Sequence, residues 1–176
     1  MRTTFGLWCF VALSTAFAAG PSAGLRPGDE VSAWEPVHVA GPHAGTKTCP
    51  VCTYLDAPVV LAFARDVEAA GLLAKPLEAI TAAHRPGKLK VVLVVVAGSD
   101  ADLRKLATDA DLRAVMLCRP DAARKAKQLA AYKIDATVAN SVPVYQEYAV
   151  KKAWAGVTAA ELAEVKAAAD QYLPKR

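Results

Sequence analysis

The run LKVVLVVVA at residues 89–97 most strongly constrains the fold of this chain. It is almost continuously apolar and rich in β-branched valine, and its length is that of a strand rather than of a membrane span. A strand with this composition is buried on both faces of its sheet, so helices must cover both sides. The run therefore predicts an α/β fold.

Further strand patterns lie before and after this run. Residues 58–64 form a second apolar run, residues 114–118 a third, and residues 34–39 a short strand near the N-terminus. Residues 142–150 alternate like a half-buried strand, and residues 151–154 can pair back on them as a hairpin. Parallel strands joined by helices, with an antiparallel hairpin at the end, predict a mixed sheet of about five strands flanked by helices on both faces.

Helical patterns separate these strands. Leu73, Leu77 and Ile80 recur at helical spacing, and Pro76 lies among them, which predicts a helix that begins near Lys75 or kinks there. Pro120 is expected at the first position of a later helix that ends near residue 132.

The N-terminus has the pattern of a secretory signal. Arg2 precedes a short apolar run at residues 5–17, and an Ala-Phe-Ala triplet predicts cleavage that removes residues 1–18. Residues 19–30 are rich in Gly, Pro and Ala and are expected to form a flexible leader, and residues 31–176 the folded domain. The alternative is an uncleaved anchor. We expect export to the periplasm or the cell exterior, with no stable membrane association after cleavage.

Composition narrows the possible partners. The chain has 176 residues, of which 54% are hydrophobic, and this suits one domain with its own core. The net charge is only +4, and the basic residues are scattered. Nucleic-acid binding is therefore not expected. No phosphate-binding glycine loop occurs, so no cofactor is predicted.

The cysteines carry the clearest chemical signal. Of the four in the chain, Cys9 lies in the predicted signal, which leaves Cys49, Cys52 and Cys118. Disulfides persist outside the cytoplasm, and an odd number leaves at least one thiol free, bridged to another chain or bound to something. Cys49 and Cys52 are three residues apart, so one helical turn can bring their sulfurs together.

The residues around this pair favour thiol chemistry. Thr48 is expected to cap the turn and Pro50 to occupy its first position, which would direct backbone N–H groups at Cys49. Lys47 would lower the pKa of the Cys49 thiol further. The pattern predicts a thiol–disulfide exchange site in which Cys49 attacks and Cys52 resolves the mixed disulfide.

Several segments together resemble the thioredoxin-like superfamily, and within it the redoxin branch of the alkyl-hydroperoxide-reductase/thiol-specific-antioxidant type. They are residues 27–29 (PGD), 58–64, 115–132 and 141–143 (SVP), and the likeness spans about residues 27–173. The resemblance implies a thioredoxin-like fold that acts on protein thiols, protein disulfides or a peroxide.

The sequence departs from this family at the cysteines. In thioredoxins the Cys-x-x-Cys pair directly follows the core strand, but residues 65–71 contain no cysteine and the pair here precedes that strand. Pro42, Thr46 and Cys49 match the Pro-x-x-x-Thr-x-x-Cys spacing of peroxiredoxins. That match makes Cys49 resemble a peroxidatic cysteine, with Cys52 or Cys118 as the resolving one.

Two further site residues follow from the resemblance. Pro143, after Val142, resembles the family's cis-proline, whose peptide forms a substrate-facing wall. Cys118, next to Arg119, is a possible third thiol. A cysteine that ends an apolar strand is otherwise a small buried hydrophobe.

Three functions stay open from the sequence. The first is a thiol–disulfide oxidoreductase that uses Cys49 and Cys52, and the second is a peroxiredoxin-like peroxidase. The third is a non-catalytic binding module in which the disulfide only pins the loop. In a variant of the third, Cys49, Cys52 and His43, with His38 nearby, would bind zinc or copper.

Overall fold

The computed structural model describes residues 24–84 and 88–173, and the predicted signal peptide lies outside them. The strands of the described part are β1 (Val37–Ala40), β2 (Val59–Asp66), β3 (Lys90–Ala97), β4 (Met116–Arg119), β5 (Asn140–Gln146) and β6 (Ala149–Ala155). The helices are α1 (Pro50–Tyr54), α2 (Val67–Ala82), α3 (Asp100–Asp109), α4 (Lys125–Ala131) and α5 (Leu162–Gln171). None of these helices is both long enough and apolar enough to cross a membrane.

All six strands belong to one mixed sheet in the order β1-β4-β3-β2-β5-β6. The three central strands β4, β3 and β2 are parallel, and β1, β5 and β6 pair antiparallel to their neighbours. The valine-rich run forms β3, between β2 and β4, as its composition predicts. The predicted α/β class and mixed sheet are confirmed, with six strands in place of about five.

The sheet has two buried faces with different coverings. Helices α2, α3 and α5 cover one face, which contains Val60, Ala62 and Leu93. The N-terminal segment, α1 and the end of α4 cover the other face, which contains Leu61 and Phe63. Each of the larger apolar side chains contributes about 1.5–3 kcal/mol by leaving water. The second face is the one that carries the cysteine pair.

The described part of the predicted leader, residues 24–30, is packed against the sheet. Leu25 is buried, and Gly28 and Asp29 exchange backbone hydrogen bonds of 2.9 Å with Val150. Glu30 forms a β-bridge to Ala149. This part of the chain protects the start of edge strand β6 and is not a flexible tail.

Helices α2 and α4 begin at positions other than those predicted. Helix α2 starts at Val67, where the Asp66 carboxylate accepts a 2.9 Å hydrogen bond from the Ala69 N–H, and it contains Pro76. Helix α4 starts at Lys125, so Pro120 is not its first residue.

Strand β5 turns into β6 earlier than predicted. Glu147 and Tyr148 form the turn with φ values of 52° and 62°. Residues 142–150 are therefore parts of two strands and a turn, in place of one strand.

Candidate functional site

Cys49 and Cys52 form a disulfide at the start of α1, with Cα atoms 5.3 Å apart. Pro50 occupies the first turn of α1, as predicted. The cap, however, is Cys49 itself, because its Sγ accepts the Cys52 N–H at 3.1 Å. The prediction that Thr48 caps this turn is wrong. The Thr48 hydroxyl instead pairs with the Thr46 hydroxyl at 2.9 Å.

The two cysteines differ in exposure. Cys49 is half-buried and packs against the second core face, whereas Cys52 is exposed. The disulfide is therefore accessible from solvent on one side and supported by apolar side chains on the other. This arrangement leaves the S–S bond open to attack by an external thiolate.

The disulfide contributes little to holding α1 in place. It closes a ring with a sequence separation of only three, so constraint of the unfolded chain is worth about 2 kcal/mol. The helix has independent anchors, since Val51 is 3% exposed and the Tyr54 hydroxyl donates to Met116 Sδ at 2.7 Å. Opening the bond therefore leaves the local fold supported.

Two histidines brace the loop that leads to Cys49. His38 is buried, and its Nε2 lies 2.8 Å from the Thr48 carbonyl oxygen, to which it donates. Burial lowers the pKa of His38, and the nearby His43 ring lowers it further, against the opposing effect of the hydrogen bond to Thr48. His43 Nε2 is 2.6 Å from the Tyr54 hydroxyl, and burial raises the pKa of Tyr54 to about 12.

These contacts bear on the metal alternative for Cys49, Cys52 and His43. Both sulfurs are bonded to each other, and the Nε2 atoms of both histidines have protein partners. In residues 24–84 and 88–173, no three or more His, Cys, Asp or Glu side chains are grouped so that they could hold a metal ion. The geometry therefore gives the metal interpretation no support.

Lys47 anchors the loop from the other side. Its Nζ lies 2.6 Å from Asp121 Oδ2, just before α4. The ammonium lowers the pKa of Asp121. Much of the charge of Lys47 is thus matched by this carboxylate, which weakens its predicted effect on Cys49.

A cleft of about 430 Å³ opens beside the disulfide. One wall is the segment at residues 32–35, the other is α4, and both cysteines line it. Tyr132 donates to the Ser32 carbonyl oxygen at 2.5 Å, and Gln128 Nε2 donates to the Glu35 carbonyl oxygen at 3.3 Å. The volume lies in the usual range for ligand pockets, so the disulfide faces a preformed space.

Apart from Cys49 and Cys52, the residues that line this cleft could not be identified from the sequence. Gln128 and Tyr132 are spaced for one face of a helix, which is the only sequence signal for their shared role. Trp34 lies at the start of the strand predicted at residues 34–39. It is buried against Phe63 and Tyr132, but it also lines the cleft.

Cys118 lies on the same sheet face as the pair but is fully buried. Its Sγ contacts the Leu93 carbonyl oxygen at 3.7 Å, and burial raises the pKa of its thiol. The neighbouring Arg119 forms an ion pair with Asp100. The structure therefore places Cys118 as a small buried side chain.

Val142 and Pro143 are buried in the middle of β5, where Pro143 pairs with Ala153 of β6. Every peptide bond in the described part of the chain is trans, including the one before Pro143. The cis-proline expected at Pro143 is therefore not present. Val142 belongs to the core cluster that also contains residues of α2 and α5, and a substrate-facing role for this segment stays a prediction.

The position at which the family carries its cysteines has another role in this chain. The end of β2 leads directly into α2, and Asp66 serves there as the helix cap. The Thr46 hydroxyl of the peroxiredoxin-like spacing donates to the His43 carbonyl oxygen at 2.9 Å. It therefore stabilises the loop turn.

No protein-family model matches this sequence, and no curated protein matches it either. Solved structures do match. The thioredoxin domain of a thiol-disulfide oxidoreductase from Bacteroides vulgatus has a TM-score of 0.67 at 10% identity, over 85% of this chain and 99% of that one. Peroxidoxin BcpB from Mycobacterium tuberculosis has a TM-score of 0.66 at 13% identity, over 86% and 99%.

A secreted disulfide oxidoreductase from Mycobacterium tuberculosis, homologous to Escherichia coli DsbE, gives a TM-score of 0.58 at 15% identity, over 77% of this chain and 95% of that one. Likeness at such low identity establishes the fold. The chain has a thioredoxin-like fold, and its structural neighbours are thiol–disulfide oxidoreductases and peroxiredoxin-like proteins.

Proposed function

We propose that this protein is an exported thiol–disulfide oxidoreductase whose redox pair is Cys49 and Cys52. The observation that carries the proposal is a solvent-accessible disulfide on the wall of a preformed cleft. The two cysteines are only three positions apart in the chain, so the disulfide adds little structural constraint, and α1 keeps its other contacts when the bond opens.

The reaction follows from the two sulfurs. In the reduced protein, the Cys49 thiolate attacks one sulfur of a substrate disulfide and the other substrate sulfur leaves as a thiolate. Cys52 then loses its proton and attacks Cys49 Sγ, which releases the second substrate sulfur. Two electrons pass to the substrate, which gains two thiols, and the protein regains its disulfide. Oxidation of a substrate dithiol is the same sequence in reverse.

Cys49 is assigned as the nucleophile because of its place at the helix start. The Cys52 N–H points at its Sγ, and a hydrogen bond to the charged form lowers a thiol pKa. Cys52 Sγ has no such donor among the described contacts. Its exposure leaves it free to move onto Cys49 in the resolving step.

Export is part of the proposal. The sequence pattern of residues 1–18 supports it, and these residues lie outside the described part of the structure. An oxidising compartment would keep the pair as a disulfide between turnovers. The substrates proposed are protein thiols and disulfides.

The redox potential of the pair tests this proposal. We expect the reduction potential of the Cys49–Cys52 disulfide to lie above about −300 mV, so that glutathione buffers reduce part of it. Structural disulfides in secreted proteins have reduction potentials below about −300 mV and resist reduction by glutathione. The oxidised fraction is measured by alkylation of free thiols and mass spectrometry after equilibration. A pair that stays oxidised throughout the glutathione range would favour the non-catalytic module.

Peroxidase activity is the second candidate, supported by the Pro42, Thr46 and Cys49 spacing and by the peroxidoxin neighbour. Consumption of hydrogen peroxide by the reduced protein distinguishes it. Rapid formation of a Cys49 sulfenic acid followed by the disulfide would favour this candidate over the oxidoreductase.

A further inference from the structure

The cleft beside the disulfide carries an unbalanced positive charge. Its ionisable lining residues, apart from the cysteines and Tyr132, are Glu35, Arg124 and Lys127. Glu35 and Arg124 form an ion pair with each other across the cleft. Lys127 is exposed on α4 and has no ion-pair partner in residues 24–84 and 88–173. One uncompensated ammonium therefore lies in the same cleft as the two sulfurs.

Two buried polar atoms of the cleft walls are also unpartnered. Trp34 is 5% exposed and Gln128 is 7% exposed, and both line the cleft. Trp34 Nε1, a donor, and Gln128 Oε1, an acceptor, have no hydrogen-bond partner in the described structure. Both atoms are closed to solvent, so the charge preference of the cleft depends on Lys127 and not on these two groups.

We infer that the cleft binds a polypeptide substrate across the disulfide, and that Lys127 selects substrates whose reacting cysteine is flanked by acidic residues. This inference rests on the proposed function. A carboxylate next to the reacting cysteine would meet the free ammonium of Lys127, which gives the cleft its charge preference.

Three matched peptides test the inference with the reduced full chain. Each contains one cysteine blocked as a neutral 2-pyridyl disulfide, and the two flanking residues are both glutamate, both glutamine or both lysine. Attack by the Cys49 thiolate on the peptide sulfur releases pyridine-2-thione, which is measured by absorbance. Cys52 then releases the reduced peptide and restores the protein disulfide. Each rate is divided by the rate with 2-mercaptoethanol, which corrects for the intrinsic reactivity of the peptide.

We expect the glutamate peptide to react about threefold faster than the glutamine peptide at low ionic strength, the size of effect for one exposed charge pair. The lysine peptide should be about threefold slower, and added salt should remove both differences. Lys127→Glu should reverse the order, and Lys127→Arg should keep it.

Lys75→Glu is the matched control. Lys75 is an exposed lysine of α2, which covers the opposite face of the sheet, and the same charge change there should leave the order unaltered. Equal rates for the three peptides, or the same response to Lys127→Glu and Lys75→Glu, would overturn the inference and leave the proposed function standing. Failure of the wild type to react with any of the peptides would overturn both.

Discussion

Replacement of Cys49 with serine is expected to lower catalysed reduction of insulin disulfides by at least about 100-fold, to the background rate of the reductant. A serine hydroxyl is not ionised near neutral pH, and the remaining Cys52 thiol lacks the backbone N–H donor that stabilises a thiolate at Cys49. Cys52→Ser should also abolish turnover, but for another reason. Its Cys49 can still attack, and the mixed disulfide then has no resolving thiol.

Cys118→Ala is the control for this prediction. Cys118 is a cysteine of the same domain, fully buried, with a thiol pKa raised by burial. Its loss should leave insulin reduction within about twofold of the wild type, because a buried thiol does not exchange with substrate. Full activity of Cys49→Ser, or loss of activity in Cys118→Ala with an intact fold, would contradict the assignment.

Trp34→Ala is expected to lower the free energy of unfolding by about 3–5 kcal/mol, the usual cost of removing a buried aromatic side chain. The Trp34 ring lies 5.9 Å from Phe63 and 5.6 Å from Tyr132, between the sheet and the end of α4. Its removal leaves a cavity under the cleft wall. Urea unfolding followed by circular dichroism measures the change.

Leu72→Ala is the control for the Trp34 prediction, because Leu72 is a large apolar side chain that is 60% exposed. Its unfolding free energy should change by less than about 0.5 kcal/mol. If Trp34→Ala does not fold, Trp34→Phe keeps an aromatic ring and should cost less than alanine. Equal unfolding free energies for Trp34→Ala and Leu72→Ala would contradict the packing described.

The sheet could be predicted from the sequence because its central strands are almost continuously apolar. Residues 58–64 and 89–97 became β2 and β3, and their parallel pairing follows from the helix between them. The start of that helix at Val67 could not be predicted, because a proline inside a helical pattern indicates that the helix begins or kinks there, and Pro76 lies nine residues further on. Pro76 has no N–H to donate to the carbonyl group of Leu72, and Leu72 is an exposed residue of this helix.

The turn between β5 and β6 could not be predicted for a different reason. Glu147 and Tyr148 both have positive φ, a conformation for which Asn and Gly are the usual sequence signals. Because neither residue is present, the alternation of apolar and polar residues continues through the turn and predicts a single strand. Helix α4 starts late because Asp121 accepts a hydrogen bond from the Ala123 N–H at 3.0 Å and forms a separate turn first.

The sequence predicts the cysteine pair of the candidate site but not the cleft beside it. The spacing of Cys49 and Cys52 predicts paired sulfurs, since it depends on local geometry alone. The cleft could not be predicted, because Trp34 and the two residues that line the cleft with it, Gln128 and Tyr132, are separated in the chain by strands β1 to β4. The walls of the cleft form only when the segment at residues 32–35 packs against α4. Neither segment has a sequence pattern that indicates a binding site.

The cysteine pair lies before strand β2 in this thioredoxin-like fold. The end of β2 is occupied by a helix cap at Asp66, and the sulfurs lie at the start of α1, before that strand. The site is therefore built from the loop after β1, the segment at residues 32–35 and α4. We propose that thiol exchange takes place at this second location.

Trapping of the mixed disulfide tests that assignment most directly. Reduced Cys52→Ser protein is mixed with a peptide disulfide, quenched in acid, and mapped by mass spectrometry after proteolysis. We predict a peptide adduct on Cys49 that dithiothreitol removes, and no adduct on Cys118. Absence of an adduct on Cys49, or equal trapping by the Cys49→Ser variant through Cys52, would contradict a nucleophilic Cys49.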